Sequence, residues 1–145
     1  PFGPSVALEN LELKVPASAN AELFRRAVFN VAARNQDDHV KNFGFLMDET
    51  GRWRLSPAFD VTWAFDPGGT WTQSHQLSIG GKTRALTRKD LLDLAQRESV
   101  RQADRIVDQV CAAVDRWSEF AAQAKVPKPR ADTIKSYLSQ AALRK

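Results

Sequence analysis

Residues 35–42 read Asn35-Gln36-Asp37-Asp38-His39-Val40-Lys41-Asn42, a run with a single apolar side chain and neither helical nor strand period. Its flanks set its role. Upstream, Leu23, Phe24, Ala27, Val28, Val31 and Ala32 recur at steps of three and four, which predicts one amphipathic helix that starts at an Asn20 cap and stops at Arg34-Asn35. Downstream, Phe43, Phe45 and Met47 alternate with Gly44 and Leu46, Asp48-Glu49-Thr50-Gly51 turns the chain, and Trp53 and Leu55 alternate with Arg52, Arg54 and Ser56. That pattern predicts a β-hairpin over 43–56. The polar run is therefore a loop, the link between an apolar helix and an apolar hairpin.

Further out, Pro57 ends the second strand and residues 57–61 lead away through Asp60. Residues 62–86 read as irregular, with a turn at Asp66-Pro67-Gly68-Gly69 and one short strand at Gln76-Leu77-Ser78-Ile79. A segment of that length without its own elements is often functional. The remainder, 87–145, reads as helical. Thr87 to Asp90 resembles a capping box. Ser99, with Gln102 three residues on, is expected to start one long helix whose stripe runs from Ile106 through Val110, Cys111, Val114, Trp117 and Phe120 to Ala124. Pro127 and Pro129 break it, and a last helix is expected from about Ala131 with Ile134, Tyr137, Leu138 and Ala141 on one face. Residues 6–13 read as a short helix. The fold class is mainly α with a small β-hairpin, in one domain over 1–145.

Composition agrees with a globular chain: 43% hydrophobic and 26% charged residues argue against both a disordered tail and a fibrous repeat. One cysteine, Cys111, allows no internal disulfide, and no leader or apolar span is visible, so a cytoplasmic location without membrane contact is expected. Residues 1–81 carry 7 basic and 9 acidic side chains, whereas 82–145 carry 14 and 8. The basic excess alternates with acids at helical spacing, as on a solvated face, so direct nucleic-acid binding is not expected. Trp53 and Trp117 fall on core patterns, Trp63 and Trp71 in the irregular segment, Cys111 on a buried stripe, and His75 is expected at the surface.

Chemistry concentrates at the loop. Asp37, Asp38, His39, Lys41 and Asn42 crowd into the turn between two packed elements, where charges lose solvent unless something compensates them. Asp37 and Asn42 are spaced Asp-x-x-x-x-Asn, the spacing of a protein-kinase catalytic loop, in which the Asp accepts the substrate hydroxyl's proton and the Asn holds Mg²⁺. A second Asp beyond a short hairpin completes such a metal site, and Asp60 stands there. Hard cations need carboxylate and amide oxygens, and a triphosphate needs hard cations.

The loop Asn35-Gln36-Asp37-Asp38-His39-Val40-Lys41-Asn42 and the segment Ser56-Pro57-Ala58-Phe59-Asp60 together closely resemble the HipA family, bacterial serine/threonine kinases that act as toxins of toxin–antitoxin pairs. The likeness is strongest over 22–61 and looser through Ser78-Ile79-Gly80-Gly81 and the C-terminal helices. It implies a protein-kinase-like C-terminal lobe, with 35–42 as catalytic loop and 62–86 as an activation-like segment. ATP and Mg²⁺ would be cofactors, and a protein substrate and an antitoxin-like DNA-binding protein would be partners. It casts Asp37 as catalytic base and Asn42 and Asp60 as magnesium ligands. His39 matches the motif either as a structural histidine bonded to the loop backbone or in a chemical role. Lys41 matches either as a solvated lysine or as a cation near the transferred phosphate. Asp38 takes the loop's variable position.

The likeness has a boundary. The family's N-terminal lobe carries a glycine-rich loop and a strand lysine, and nothing before Asn20 supplies either: Gly3 is the only glycine ahead of Gly44. An N-terminal lobe supplied in cis or in trans is therefore expected, and the 145 residues alone are expected to be weakly active or inactive. Two other classes fit the same residues: a non-catalytic remnant lobe that binds an antitoxin-like partner, and a metal-dependent hydrolase using Asp37, Asp38, His39 and Asp60. The hydrolase leaves Asn42 and its spacing unexplained.

Overall fold

The computed structural model describes residues 17–138 and residue 143; the helix expected at 6–13 lies outside them. The elements in order are helix α1 (Ala17–Ala33), a 3₁₀ turn (Val40–Asn42), strands β1 (Phe45–Met47) and β2 (Trp53–Leu55), and helices α2 (Arg88–Arg97), α3 (Ala103–Asp115), α4 (Trp117–Gln123) and α5 (Lys128–Leu138). The domain is mainly helical with one two-stranded antiparallel hairpin, in which Phe45 faces Leu55 and Met47 faces Trp53. Gly51, at φ 79°, makes the turn the sequence predicts.

The core forms where apolar stripes meet. Phe24, Val28, Val31 and Ala32 of α1 pack with Leu91, Leu94 and Ala95 of α2 and with Ile106, Val107, Val110 and Val114 of α3. Val28, Leu91 and Val107 are wholly buried. Trp117 packs against this core and donates its indole N–H to the Ala131 carbonyl at 2.9 Å, which fastens α4 to α5.

Some helix boundaries differ from those the sequence predicts, whereas the stops after Ala33 and Gln123 fall where it places them. Asn20 lies inside α1, and its amide reaches across to the Glu98 carbonyl instead of capping. Ser99 does not start a helix; at φ 53° it ends α2, with the Val100 amide bonded to the Ala95 carbonyl. Arg34 ends α1 in the same way (φ 57°, Asn35 amide to Asn30 carbonyl), and Lys125 ends α4 (φ 55°, Val126 amide to Ala121 carbonyl). Each is a left-handed stop of the kind glycine usually makes, built here on side-chain-bearing residues that give no sequence signal. The long helix expected from Ser99 to Ala124 is two helices meeting at Arg116. The last helix starts at Lys128, because Pro129 sits in its first turn, where no amide donor is required. The Thr87 capping box is as read: Thr87 and Asp90 bond each other's backbone amides.

Residues 62–86 contain no regular strand; 76–79 make only the isolated bridge Ile79–Lys82. Trp53 is only partly buried and Trp71 is exposed. Trp63 packs with Phe65 and Tyr137, beneath the Arg130 guanidinium.

Candidate functional site

The loop hangs from the end of α1. The left-handed turn at Arg34 reverses the chain, and residues 34–36 then pair with the strand-like stretch at Ala64 through Gln36 N–H to Ala64 O (3.0 Å) and Ala64 N–H to Arg34 O (3.2 Å). Asn35 is buried, its side-chain amide donating to Asn30 Oδ1 at 3.0 Å. The loop closes in the 3₁₀ turn, where the Asn42 amide bonds the His39 carbonyl and the Asn42 side chain donates to the Asp37 carbonyl at 2.9 Å. That bond uses the nitrogen of the Asn42 carboxamide and leaves its oxygen for another partner.

Asp60 arrives by a second route. Ser56 accepts Arg26 Nη2 of α1 on its carbonyl (2.6 Å) and donates its amide to Gly44 O (2.9 Å). A Cβ on Gly44 would stand 3.1 Å from Ser56 Oγ and 3.3 Å from the Phe59 ring, so the missing side chain allows this close approach. Asp60 itself adopts φ 53°, a left-handed conformation that Asp tolerates better than most residues.

The structure brings Asn42 and Asp60 onto the wall of one cleft of ≈ 330 Å³, which Asn30, Asn35, Arg25 and Arg26 also line. Asp37 is not on that wall. Its carboxylate is half exposed, with Oδ1 3.9 Å from His39 Nε2, and it joins the cleft only through the Asn42 bond to its carbonyl. Lys41 is exposed. His39 makes no hydrogen bond to the loop backbone: its Nδ1 is buried without a partner among the described residues. An apolar hollow of ≈ 50 Å³ between Leu23, Phe24, Phe45, Leu77 and Val100 has only Asn20 and Glu98 as polar residues on its wall.

Two residues sit differently from the sequence reading. Asp38 is turned into the protein: Oδ2 lies 2.8 Å from His75 Nδ1, and Oδ1 accepts the amides of Gln76 (2.7 Å) and Leu77 (3.3 Å). His75, expected at the surface, is buried. The signal was present: residues 75, 77 and 79 are buried and 76 and 80 exposed, an alternation that Leu77 and Ile79 already announce. Since Asp38 is committed to these donors, a hydrolase set that needs it at an open metal centre loses a member.

Among the described residues no group of three or more His, Cys, Asp or Glu could hold a metal ion. The Asn42 amide oxygen and the Asp60 carboxylate, on the wall of a largely apolar cleft that Glu22 also lines, fit a hard cation that keeps most of its shell as water and phosphate oxygens, as Mg²⁺ does. Among the described residues no helix is long and apolar enough to cross a membrane.

A helical domain with a polar loop, a hairpin and an aspartate returning to that loop is the class these features define. The family model for the HipA-like C-terminal domain matches residues 6–118, from before α1 into α4, and the chain belongs to that family. The family is kinase-related. No curated protein matches the chain.

Proposed function

We propose that this chain is the catalytic lobe of a serine/threonine kinase of a toxin–antitoxin system, transferring the terminal phosphoryl group of ATP to a protein hydroxyl. The observation that carries the reading is the shared cleft: Asn42 and Asp60, from opposite ends of the hairpin, face one cavity, and Asn42 is tied to Asp37. Asn42 Oδ1 and the Asp60 carboxylate would hold Mg²⁺. The ion would supply neutralisation of the phosphate charge. Asp37 orients the attacking hydroxyl and takes its proton as the oxygen–phosphorus bond forms and the bond to ADP breaks. Arg25 and Arg26 line the same cleft, each paired with Glu22, which lines it too. Lys41, exposed on the same loop, would steady charge on the transferred group, and the His39 ring lies beside the Asp37 carboxylate. An N-terminal lobe, in cis or in trans, covers the nucleotide, an antitoxin-like DNA-binding protein is the partner, and the setting is cytoplasmic.

A non-catalytic module is the second reading, favoured by the apolar surface at Val40, Leu46, Met47, Phe59 and Val61 around loop and hairpin. Calorimetry with Mg²⁺ and a non-hydrolysable ATP analogue separates the two. The kinase reading expects binding that Asp60→Ala and Asn42→Ala each weaken by roughly tenfold or more. A folded wild-type chain with no heat of binding would leave the module.

A further inference from the structure

Asp37 stands between two anchors that both reach the segment after Asp60. On one side the Gln36 amide bonds the Ala64 carbonyl. On the other the Asp38 carboxylate takes the Gln76 and Leu77 amides and meets His75 Nδ1, with the Asp38 and His75 side chains only 7% and 4% exposed. Gln36 and Asp38 are buried while Asp37 between them stays half exposed. Three donors on one buried carboxylate are more than loop closure requires, and their partners lie 37 to 39 positions away in sequence. From Asp37 the fixing continues, since its carbonyl holds the Asn42 side chain.

We infer that Asp38 and His75 are positioning residues: a buried clasp that holds the Asp37–Asn42 loop in register by tying it to residues 75–77, so that the placement of the 62–86 segment sets the geometry of the Asn42 ligand. This rests on the kinase-lobe reading for its purpose but not for its geometry. A carboxylate oxygen accepts, so Nδ1 of His75 is the donor. An asparagine at 38 can keep the arrangement, with its oxygen toward the two amides and its NH₂ toward the other tautomer of His75. An alanine keeps nothing.

The test compares Asp38→Ala and Asp38→Asn in the whole chain by two readouts. One is NMR of backbone amide exchange and of the Asn42 side-chain NH₂ signals. The other is titration with Mn²⁺ alone. In Asp38→Ala the Gln76 and Leu77 amides should exchange roughly tenfold faster or more, as expected for a lost charge-assisted bond. The Asn42 NH₂ signals should shift or broaden, and Mn²⁺ should bind roughly tenfold more weakly. Asp38→Asn should restore all three. Faster exchange at 76 and 77 with unchanged Asn42 signals and unchanged Mn²⁺ affinity would overturn the inference and leave a fold staple. If the wild type binds no Mn²⁺, the Asn42 signals alone decide the clasp, and the kinase-lobe reading is decided separately by the nucleotide calorimetry. Should Asp38→Ala lose α3 amide protection and so fail to fold, His75→Ala, which removes one bond of the three and leaves both amide bonds, replaces it and is judged by the Asn42 NH₂ signals and the Mn²⁺ affinity.

Discussion

At the scale of single residues, charge and cavity give the sharpest expectations. Asp90 binds Lys82 Nζ at 2.7 Å, the Thr87 hydroxyl at 2.7 Å and the Thr87 amide at 2.9 Å, and these partners hold its carboxyl down to about 2. A carboxyl lowered by folding contributes stability that is complete above its unfolded value, near 4, and that fades as pH falls toward 2. Asp90→Asn should therefore cost about 1 kcal/mol at pH 7, in the range of a helix cap, and the gap between wild type and variant should close between pH 4 and pH 2. Urea unfolding at stepped pH checks it; a gap that widens in acid would refute it. Leu91, wholly buried in α2, should lose about 2–5 kcal/mol on Leu91→Ala, seen as a lower urea midpoint at unchanged slope.

Single elements show where local sequence and structure part. The hairpin and the Thr87 start of α2 were legible because each is decided within a few residues: alternation around a glycine turn, and a hydroxyl three positions before a carboxylate. The stops at Arg34 and Lys125 fall where the apolar stripes run out, but their left-handed form was not legible, nor was the stop at Ser99, since none of the three is a glycine. They carry a prediction. Lys125 is exposed and its side chain is not needed for the stop, so Lys125→Gly should stabilise the protein by about 0.5–1 kcal/mol by removing the left-handed penalty. A fall in thermal midpoint would show that the turn depends on the lysine.

Across the whole molecule, the candidate site is assembled by contacts of long sequence separation, and this limits what the chain alone reveals. Asp37, Asn42 and Asp60 could be picked out by type and spacing. That Asn42 and Asp60 line a cleft with Arg25 and Arg26, and that Asp37 stands off it, comes from α1 meeting the post-hairpin segment through Arg26 and Ser56. The inward turn of Asp38 has no local signal, because its partners lie at residues 75–77. The same scale governs activity. On the proposed reading Asn42 and Asp60 would hold the ion and Asp37 would be the base, while no stretch of the sequence resembles a glycine-rich phosphate loop. The chain alone should bind Mg²⁺–nucleotide yet transfer little or no labelled phosphate from ATP. Robust incorporation that Asp37→Ala abolishes would contradict this.

Whether Asn42 and Asp60, which line one cleft, hold one ion is tested most directly by paramagnetic Mn²⁺ added to isotopically labelled protein, read as loss of NMR signal residue by residue. The account predicts that the Asn42 side chain and the Phe59, Asp60 and Val61 amides vanish first, with Asp37 close behind, and that Asp60→Ala abolishes the pattern. Loss of signal centred instead on acidic surface, at Asp48-Glu49 or at Asp104 and Asp108, with residues 42 and 60 untouched, would contradict it.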